Sequence, residues 1–395
     1  MESLCLRCMP VLILIACIFL AVPAFGAPES GLSLDNSAGV STGRIWKQVS
    51  DDAPFGLRSS FPLVEFNGNM WIVGGSNPMS KYNDVWFSRD GASWTQATGS
   101  AQFSPRYQHA VLAFKSKLWV IGGKSAQGKM NDVWYSADGI TWTEATPHAE
   151  FPARFQHTAV VFHDKMWVIG GHGNENNPRP FDGDAFNDVW YSSDGITWMQ
   201  ATPHAAFSPR YSHVSFVFND SIWVVGSYHD DEHWRSPDGV NWTLAANRPY
   251  TFAPKDSEQP PIFLVYDSMV WRISAFTNGY PRQSDVWYSR DGINWASHGQ
   301  FFYPGSQSNI NSYIRAGVVH DNRIFVINEY GNRSLTETTF LGISLGTSYQ
   351  YNNRYMVWYS APDAATYTNL ELHPGELATV RKIEILDRIF PFLKR

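Results

Sequence analysis

The chain has 395 residues, of which 44% are hydrophobic, 15% aromatic and only 17% charged, with a formal net charge of −6. These values exclude an intrinsically disordered chain, which lacks the apolar residues for a core, and leave room for a large one. The mildly acidic balance argues against a nucleic-acid partner, which calls for a basic surface.

Residues 1–26 read as a secretory signal peptide. Arg7 gives the positive start, Val11–Val22 the apolar centre, and Ala24-Phe25-Gly26 a small-x-small cleavage site. The apolar run is shorter than the ~20 residues that span a bilayer. Export is therefore expected, with the protein secreted, periplasmic or at the cell surface. Leu14-Ile15-Ala16-Cys17 offers a second reading as a lipoprotein box, although the residues after Cys17 stay apolar where such a sequence turns polar. All three cysteines, Cys5, Cys8 and Cys17, lie in this segment. A chain beginning at Ala27 then has no disulfide, no thiolate metal ligand and no cysteine nucleophile. Residues 27–43 form a Gly- and Ser-rich leader, and Arg44–Ser50, around Trp46, reads as a strand without neighbours in sequence.

Repeats follow. NDVWFSRDGASW (Asn83–Trp94), NDVWYSADGITW (Asn131–Trp142) and NDVWYSSDGITW (Asn187–Trp198) are near-copies, with EHWRSPDGVNW (Glu232–Trp242) and SDVWYSRDGINW (Ser284–Trp295) more worn. In each, an aromatic β-prone run breaks at Asp-Gly and ends on Trp. Asp and Gly tolerate the positive φ of a tight turn, so each copy predicts a hairpin. The closing Trps recur every 44 to 56 residues, a spacing that belongs to stacked or radial repeats. Ser104–Thr146 shows a whole unit, with strands predicted at Ala110–Phe114, Leu118–Ile121, around Asp132–Ser136, and Thr141–Ala145. Four strands joined by short turns make one twisted sheet that cannot bury both faces alone, and radial packing solves this.

The Trps set the expected number of sheets. Fourth strands carry Trp94, Trp142, Trp198, Trp242 and Trp295, whereas third strands carry six, ending at Trp358. The last unit, Ala316–Ser360, stops at Ala361-Pro362 with no Asp-Gly and no Trp, and the strand around Trp46 would fill its gap. The expectation is an all-β fold: a six-bladed β-propeller of four-stranded blades over residues 44–360, closed by the N-terminal strand around Trp46 completing the last blade. The Trps are read as packing between blades.

A double Gly after the second strand, then an aromatic and a Trp separated by six residues, as in Tyr135 and Trp142, is similar to the kelch repeat. Gly74-Gly75, Gly122-Gly123 and Gly170-Gly171 fit the pattern; Gly226-Ser227, Ser274-Ala275 and Asn328-Glu329 depart from it. The run Ser-x-Asp-Gly-x-x-Trp also resembles a shortened sialidase Asp-box, and in both families such a turn is a structural staple. What the resemblance to kelch propellers implies is ligand recognition at the collar of first-strand entries described next.

Antiparallel strands sort the connections by end. Turns one-to-two and three-to-four are short and uniform, while the other end receives His172–Phe186, Ala246–Pro261, Ala296–Tyr313 and Glu329–Tyr355, read as irregular loops. That end also receives the first-strand entries Arg58, Arg106, Arg154, Arg210 and Arg315, three of them in Arg-aromatic-x-His runs that supply His109, His157 and His213. Two readings stand side by side. In one, Arg ties adjacent loops and His is satisfied at the channel. In the other, the residues form a basic, carboxylate-binding collar, because Arg offers fixed paired donors and keeps its charge. Asp182-Gly183-Asp184 with Asp188 has carboxylates spaced for calcium but no complete ligand loop, and His229-Asp230-Asp231-Glu232-His233 is too short a loop for good metal geometry. No metal or cofactor is assigned.

A copper radical oxidase resembling galactose oxidase needs a Cys absent after Ala27, and no signature identifies a sialidase. A cofactor-free sugar epimerase, like the sialic-acid mutarotases, would need Arg for the carboxylate and an acid/base such as Glu329. No catalytic residue is assigned. The expected function is a non-catalytic binding module for a protein or glycan, acidic in character, held at the loop face by a monomer; a carbohydrate-active enzyme is the alternative. In the tail, residues 361–395, Leu377, Val380, Ile383, Leu386, Ile389 and Phe390 recur at helical spacing, for a helix that docks on the propeller in preference to a membrane.

Overall fold

The structure is a computed structural model that describes residues 46–50, 52–174, 184–226, 232–247, 261–274, 284–301, 310–340 and 343–360. The signal segment, the leader and the tail lie outside these residues. The described residues contain strands and turns and no helix, and the fold is an all-β propeller.

Five blades are each built from four consecutive antiparallel strands. The first has β2 (Leu63–Phe66), β3 (Asn69–Ser76), β4 (Lys81–Ser88) and β5 (Thr95–Thr98). The second has β6 (Ala110–Phe114), β7 (Lys117–Ser125), β8 (Gly128–Ser136) and β9 (Thr143–Thr146). The third has β10 (Thr158–Phe162), β11 (Lys165–His172), β12 (Ala185–Ser192) and β13 (Met199–Thr202). The fourth has β14 (Val214–Val217), β15 (Ile222–Val225), β16 (Glu232–Ser236) and β17 (Thr243–Asn247). The fifth has β18 (Ile262–Tyr266), β19 (Met269–Ser274), β20 (Ser284–Ser289) and β21 (Trp295–Phe301). A further four-stranded sheet runs in the order β1-β24-β23-β22, where β1 is Trp46–Ser50, β22 Ile310–His320, β23 Arg323–Phe340 and β24 Ile343–Ser360.

The second strand of a blade is buried on both faces, which is why it reads as an unbroken apolar run in Met70–Val73, Leu118–Ile121 and Met166–Ile169. The core between the first two blades joins Trp71, Val73 and Val85 to Leu118, Val120 and Trp142. The next joins Leu112, Trp119 and Val133 to Met166, Val168 and Trp198. Trp142, Trp198 and Trp242 close the cores between successive blades, as the repeats led one to expect.

The Asp-Gly turns lock these cores. In the second blade the Ser136 hydroxyl accepts from the Gly139 N–H at 2.8 Å, and Asp138 Oδ1 accepts from Ile140 and Thr141, both at 2.8 Å. The Trp142 indole then donates to the Gly139 carbonyl at 3.2 Å. The same bonds to the turn Ser and Asp recur at Ser88, Ser192, Ser236 and Ser289. Gly139 has φ +74°, and a Cβ there would lie 2.1 Å from Trp71 of the preceding blade. The turn needs Gly twice, for its backbone and for the indole beneath it.

Two expected loops turn out to be strand. Glu329–Tyr355 belongs to a hairpin whose register continues from Phe325↔Tyr359 out to Phe340↔Ile343, and β21 and β22 extend into Ala296–Tyr313. Both stretches lack the repeat's landmarks, but Glu329–Tyr355 is rich in Thr and Tyr, which favour the pleated conformation.

Candidate functional site

The end of the propeller that carries the two-to-three and four-to-one connections brings the expected site residues together blade by blade. Arg154 shows how. Nη1 donates to Asp188 Oδ1 at 2.7 Å and Nη2 to Oδ2 at 2.8 Å, with a third bond from Nη1 to the Gly170 carbonyl at 2.8 Å. Arg106 repeats this with Asp132 (2.8 and 2.7 Å) and the Gly122 carbonyl (3.0 Å). Arg58 pairs with Asp84 at 2.5 and 2.9 Å and also donates to the Phe55 and Gly74 carbonyls. In the fourth blade Glu232 replaces Asp and meets Arg210 at 3.3 Å, and Arg315 Nε donates to Glu329 at 2.7 Å. Arg106 and Arg154 are 0% exposed and Arg210 1%.

The backbones of Arg106, Arg154 and Arg210 tie their blades to the ones before. Arg154 N donates to the Met130 carbonyl, and its own carbonyl accepts from Gly123 N, both at 2.9 Å. Arg106 does the same with Tyr82 and Gly75, and Arg210 with Phe186 and Gly171. The residue two positions after Arg is left-handed in four blades: Ser60, Gln108 and Gln156 at φ 54° and Ser212 at 53°. Their backbones form a chain, with Gln108 N donating to Ser60 O at 3.2 Å, Gln156 N to Gln108 O at 3.0 Å and Ser212 N to Gln156 O at 3.2 Å.

His109, His157 and His213 are buried between blades, in the cradle left by the double glycines. A Cβ on Gly123 would lie 2.5 Å from the His109 Cβ, and one on Gly171 2.7 Å from that of His157. Burial, reinforced by the neighbouring Arg106 and His157, holds His109 well below the usual imidazole range. Burial and the adjacent Arg154 lower His157 to about 3; burial, Arg210 and His157 do the same to His213. All three are neutral imidazoles at physiological pH. His213 Nε2 also lies 2.9 Å from the Thr158 hydroxyl.

The carboxylate partners Asp84, Asp132, Asp188 and Glu232 were missed as site residues. Their trace in the sequence is a repeated spacing alone: an acidic residue within the third strand follows the Arg that precedes the first strand by 26 residues in the first two blades. The third pair is 34 apart because the connection 173–184 lengthens that blade. Asp188 also accepts from the Trp190 indole at 2.7 Å and Asp184 from Asn174 Nδ2 at 2.8 Å, so their carboxylates serve local bonds and not a shared calcium loop. Asp182 and Gly183 lie outside the described residues, as do His229, Asp230 and Asp231. His233 is fully buried and donates from Nδ1 to the Gly292 carbonyl at 3.2 Å, an inter-blade contact and not an open ligand position. Among the described residues no three His, Cys, Asp or Glu side chains converge as a metal site.

This recurring geometry coincides with a family match: the model of the KLHDC2/KLHL20/DRC7 Kelch-repeats domain covers residues 48–260, more than half of the chain. The chain belongs to the kelch-repeat family. No curated protein matches it. The kelch double glycine therefore has a concrete role here. Gly122 and Gly170 have φ of +55° and +56°, and their carbonyls accept from Arg106 and Arg154.

Two consequences can be measured. Arg154→Ala leaves Asp188 buried without its cation and should lower the unfolding free energy by ~3–5 kcal/mol, whereas Arg154→Met with Asp188→Leu should recover most of the loss. A denaturant titration of the three proteins decides; an Arg154→Ala midpoint equal to that of the parent would remove the tie. The histidines fix a pH dependence. Their folded pKa values lie below the ordinary 6.5, so the unfolded chain takes up protons first as pH falls. Stability should be full above about pH 6.5 and fall towards pH 3, by ~2 kcal/mol each for His157 and His213 at pH 5. Unfolding midpoints that stay level from pH 7 to pH 5 would contradict buried neutral imidazoles.

Proposed function

We propose that this kelch propeller is an exported, non-catalytic module that binds a protein through the face carrying the two-to-three and four-to-one connections. The observation that carries this reading is the row of buried Arg–carboxylate ties. They fix the base of each connection and leave its outer residues, such as Met79 and Ala126, exposed. A rigid frame with variable loops is a common platform for recognition, and it lowers the ordering that binding requires. Contact between a ligand and Arg58, Arg106, Arg154, Arg210, Arg315, His109, His157 or His213 is a separate proposal. It would require an incoming carboxylate to displace one already bound. The sugar-epimerase alternative would use Glu329, whose carboxylate accepts from Arg315.

The ring itself is proposed to have six blades, with β1 completing the last. Support comes from the antiparallel pairing of Trp46–Ser50 with Val357–Ser360. It comes also from the joint core of Phe55, Met70 and Trp94 with Val318, Phe325 and Val357, and from the His320 Nε2 contact with the Arg89 carbonyl at 2.8 Å. Removing residues 46–50 should unfold the first and last sheets together and lower the melting temperature of the whole domain. A truncated protein that melts like the parent would leave the ring without this closure.

Photo-crosslinking of the full chain in its native source tests the function. A crosslinker at Met79 or Ala126 should capture one defined protein, while one at the opposite end, at Ile140 or Ile196, should not. The reverse result would move the binding face. Mass spectra of the same material should show a chain beginning at Ala27; an intact Met1 would end the export proposal, and a lipid on Cys17 would replace it with a lipoprotein. Interconversion of sugar anomers by the purified protein would favour the enzyme.

A further inference from the structure

We propose that the β23–β24 hairpin is a dimerisation arm, and that its β23 edge pairs antiparallel with the same edge of a second copy of this chain. The inference goes beyond the binding reading, does not depend on it, and departs from the monomer expected from the sequence. β22 pairs with β23 only as far as Ile310↔Asn332, and β1 pairs with β24 only over residues 357–360. β23 and β24 stay paired with each other from there out, through Arg333↔Tyr351 to Phe340↔Ile343. Residues 333–340 therefore carry the hairpin beyond its sheet, by roughly 25 Å at the usual rise of a strand.

A hairpin of two strands is marginal in water by itself. Among the described residues no third strand pairs with β23 over 333–340, so that edge presents a row of backbone N–H and C=O groups. Edges that must stay single are guarded by Lys, Pro or a bulge. Residues 333–338 contain neither Lys nor Pro, and the register shift of the hairpin comes only after them, between Thr338 and Thr339.

The order of charges points to a second copy as the occupant. Arg333 and Glu337 stand two residues to either side of Leu335, so strand alternation puts all three on one face. A twofold axis through Leu335 pairs the two edges antiparallel and sets Arg333 opposite the partner's Glu337. By symmetry that contact forms twice. Ser334 then stands opposite the partner's Thr336, also twice. Opposite charges and Ser/Thr pairs directly across a ladder both stabilise it. The β24 edge has no such self-complementarity: between Ile343 and Met356 it carries Arg354 and no acidic residue. A foreign strand would call for no symmetry in the edge it meets, whereas self-pairing does. Pairing over so short a stretch buries less than the roughly 1,200 Å² of a stable complex, so the dimer should come apart on dilution.

Sedimentation velocity of the full chain over a concentration series tests this. A monomer–dimer equilibrium is expected, weakening as salt rises. Arg333→Glu and Glu337→Arg each set like charges across both contacts and should raise the dissociation constant about tenfold or more. The two single variants, mixed, should dimerise with each other, and the double variant Arg333→Glu with Glu337→Arg should regain the affinity of the parent. Arg354→Glu, on the β24 edge, should change nothing. A parent that stays monomeric at every concentration, or a dimer indifferent to the single reversals, would overturn the arm. Single variants that lose the dimer with no recovery in the mixture would overturn it equally, because the loss would then come from damaged folding or another contact. A dimer lost with Arg354→Glu and kept with Glu337→Arg would overturn the β23 edge in favour of β24.

Discussion

An arginine cannot shed its charge, and one with no exposed surface must be met by a carboxylate inside the protein. That constraint organises each of the well-formed blades. The carboxylate comes from the middle of the third strand, as with Asp132 in β8. The third acceptor comes from the double glycine at the end of the second strand, where Gly122 offers its carbonyl. The Arg sits just before the first strand, so one side chain joins three strands of a blade. Such a pair adds less net stability than its geometry suggests, because both charges were solvated in the unfolded chain. Its value is specificity: a strand slipped by one residue would leave a buried charge alone.

The same residue also joins blades, through its backbone. Arg106, Arg154 and Arg210 each exchange two hydrogen bonds with the blade before, and the His three residues later sets its ring against that blade's first glycine. At the far end of the blade, the Asp-Gly turn seats its glycine on the previous blade's Trp. The joints between the first four blades therefore have two fixed points, one near each end, with an apolar core between them. Cores of this kind hold the blades against sliding, because Trp side chains and glycines match only in one register.

Departures from the pattern fall in the later blades. Glu232 is one methylene longer than the Asp of its counterparts and meets Arg210 at 3.3 Å, against 2.7 Å for the closer Arg106 and Arg154 contacts. Gly226-Ser227 and Ser274-Ala275 lack the double glycine. A looser frame and longer connections come together there, whereas the first three blades have the tighter ties.

The sequence by itself determined the repeat, the four-strand unit, the hairpin at each Asp-Gly and the burial of the Trps. All of these depend on local propensity and on a period that one chain displays in full. It also placed Arg58, Arg106, Arg154, Arg210 and Arg315 at one end, since alternating strand direction is enough for that. Tertiary structure alone decided what those arginines face. Asp84 and Asp188 are ordinary acidic residues in sequence, and Asp188 could be grouped as readily with Asp182 and Asp184. Only the sheet, with the second strand paired between the first and the third, brings each to its guanidinium. The same holds for His172 of the third blade and Tyr211 of the fourth, which meet edge-on because the sheets pack side by side. Spacing along a chain records which residues share a strand. Contacts between sheets depend on packing, and no local pattern encodes them.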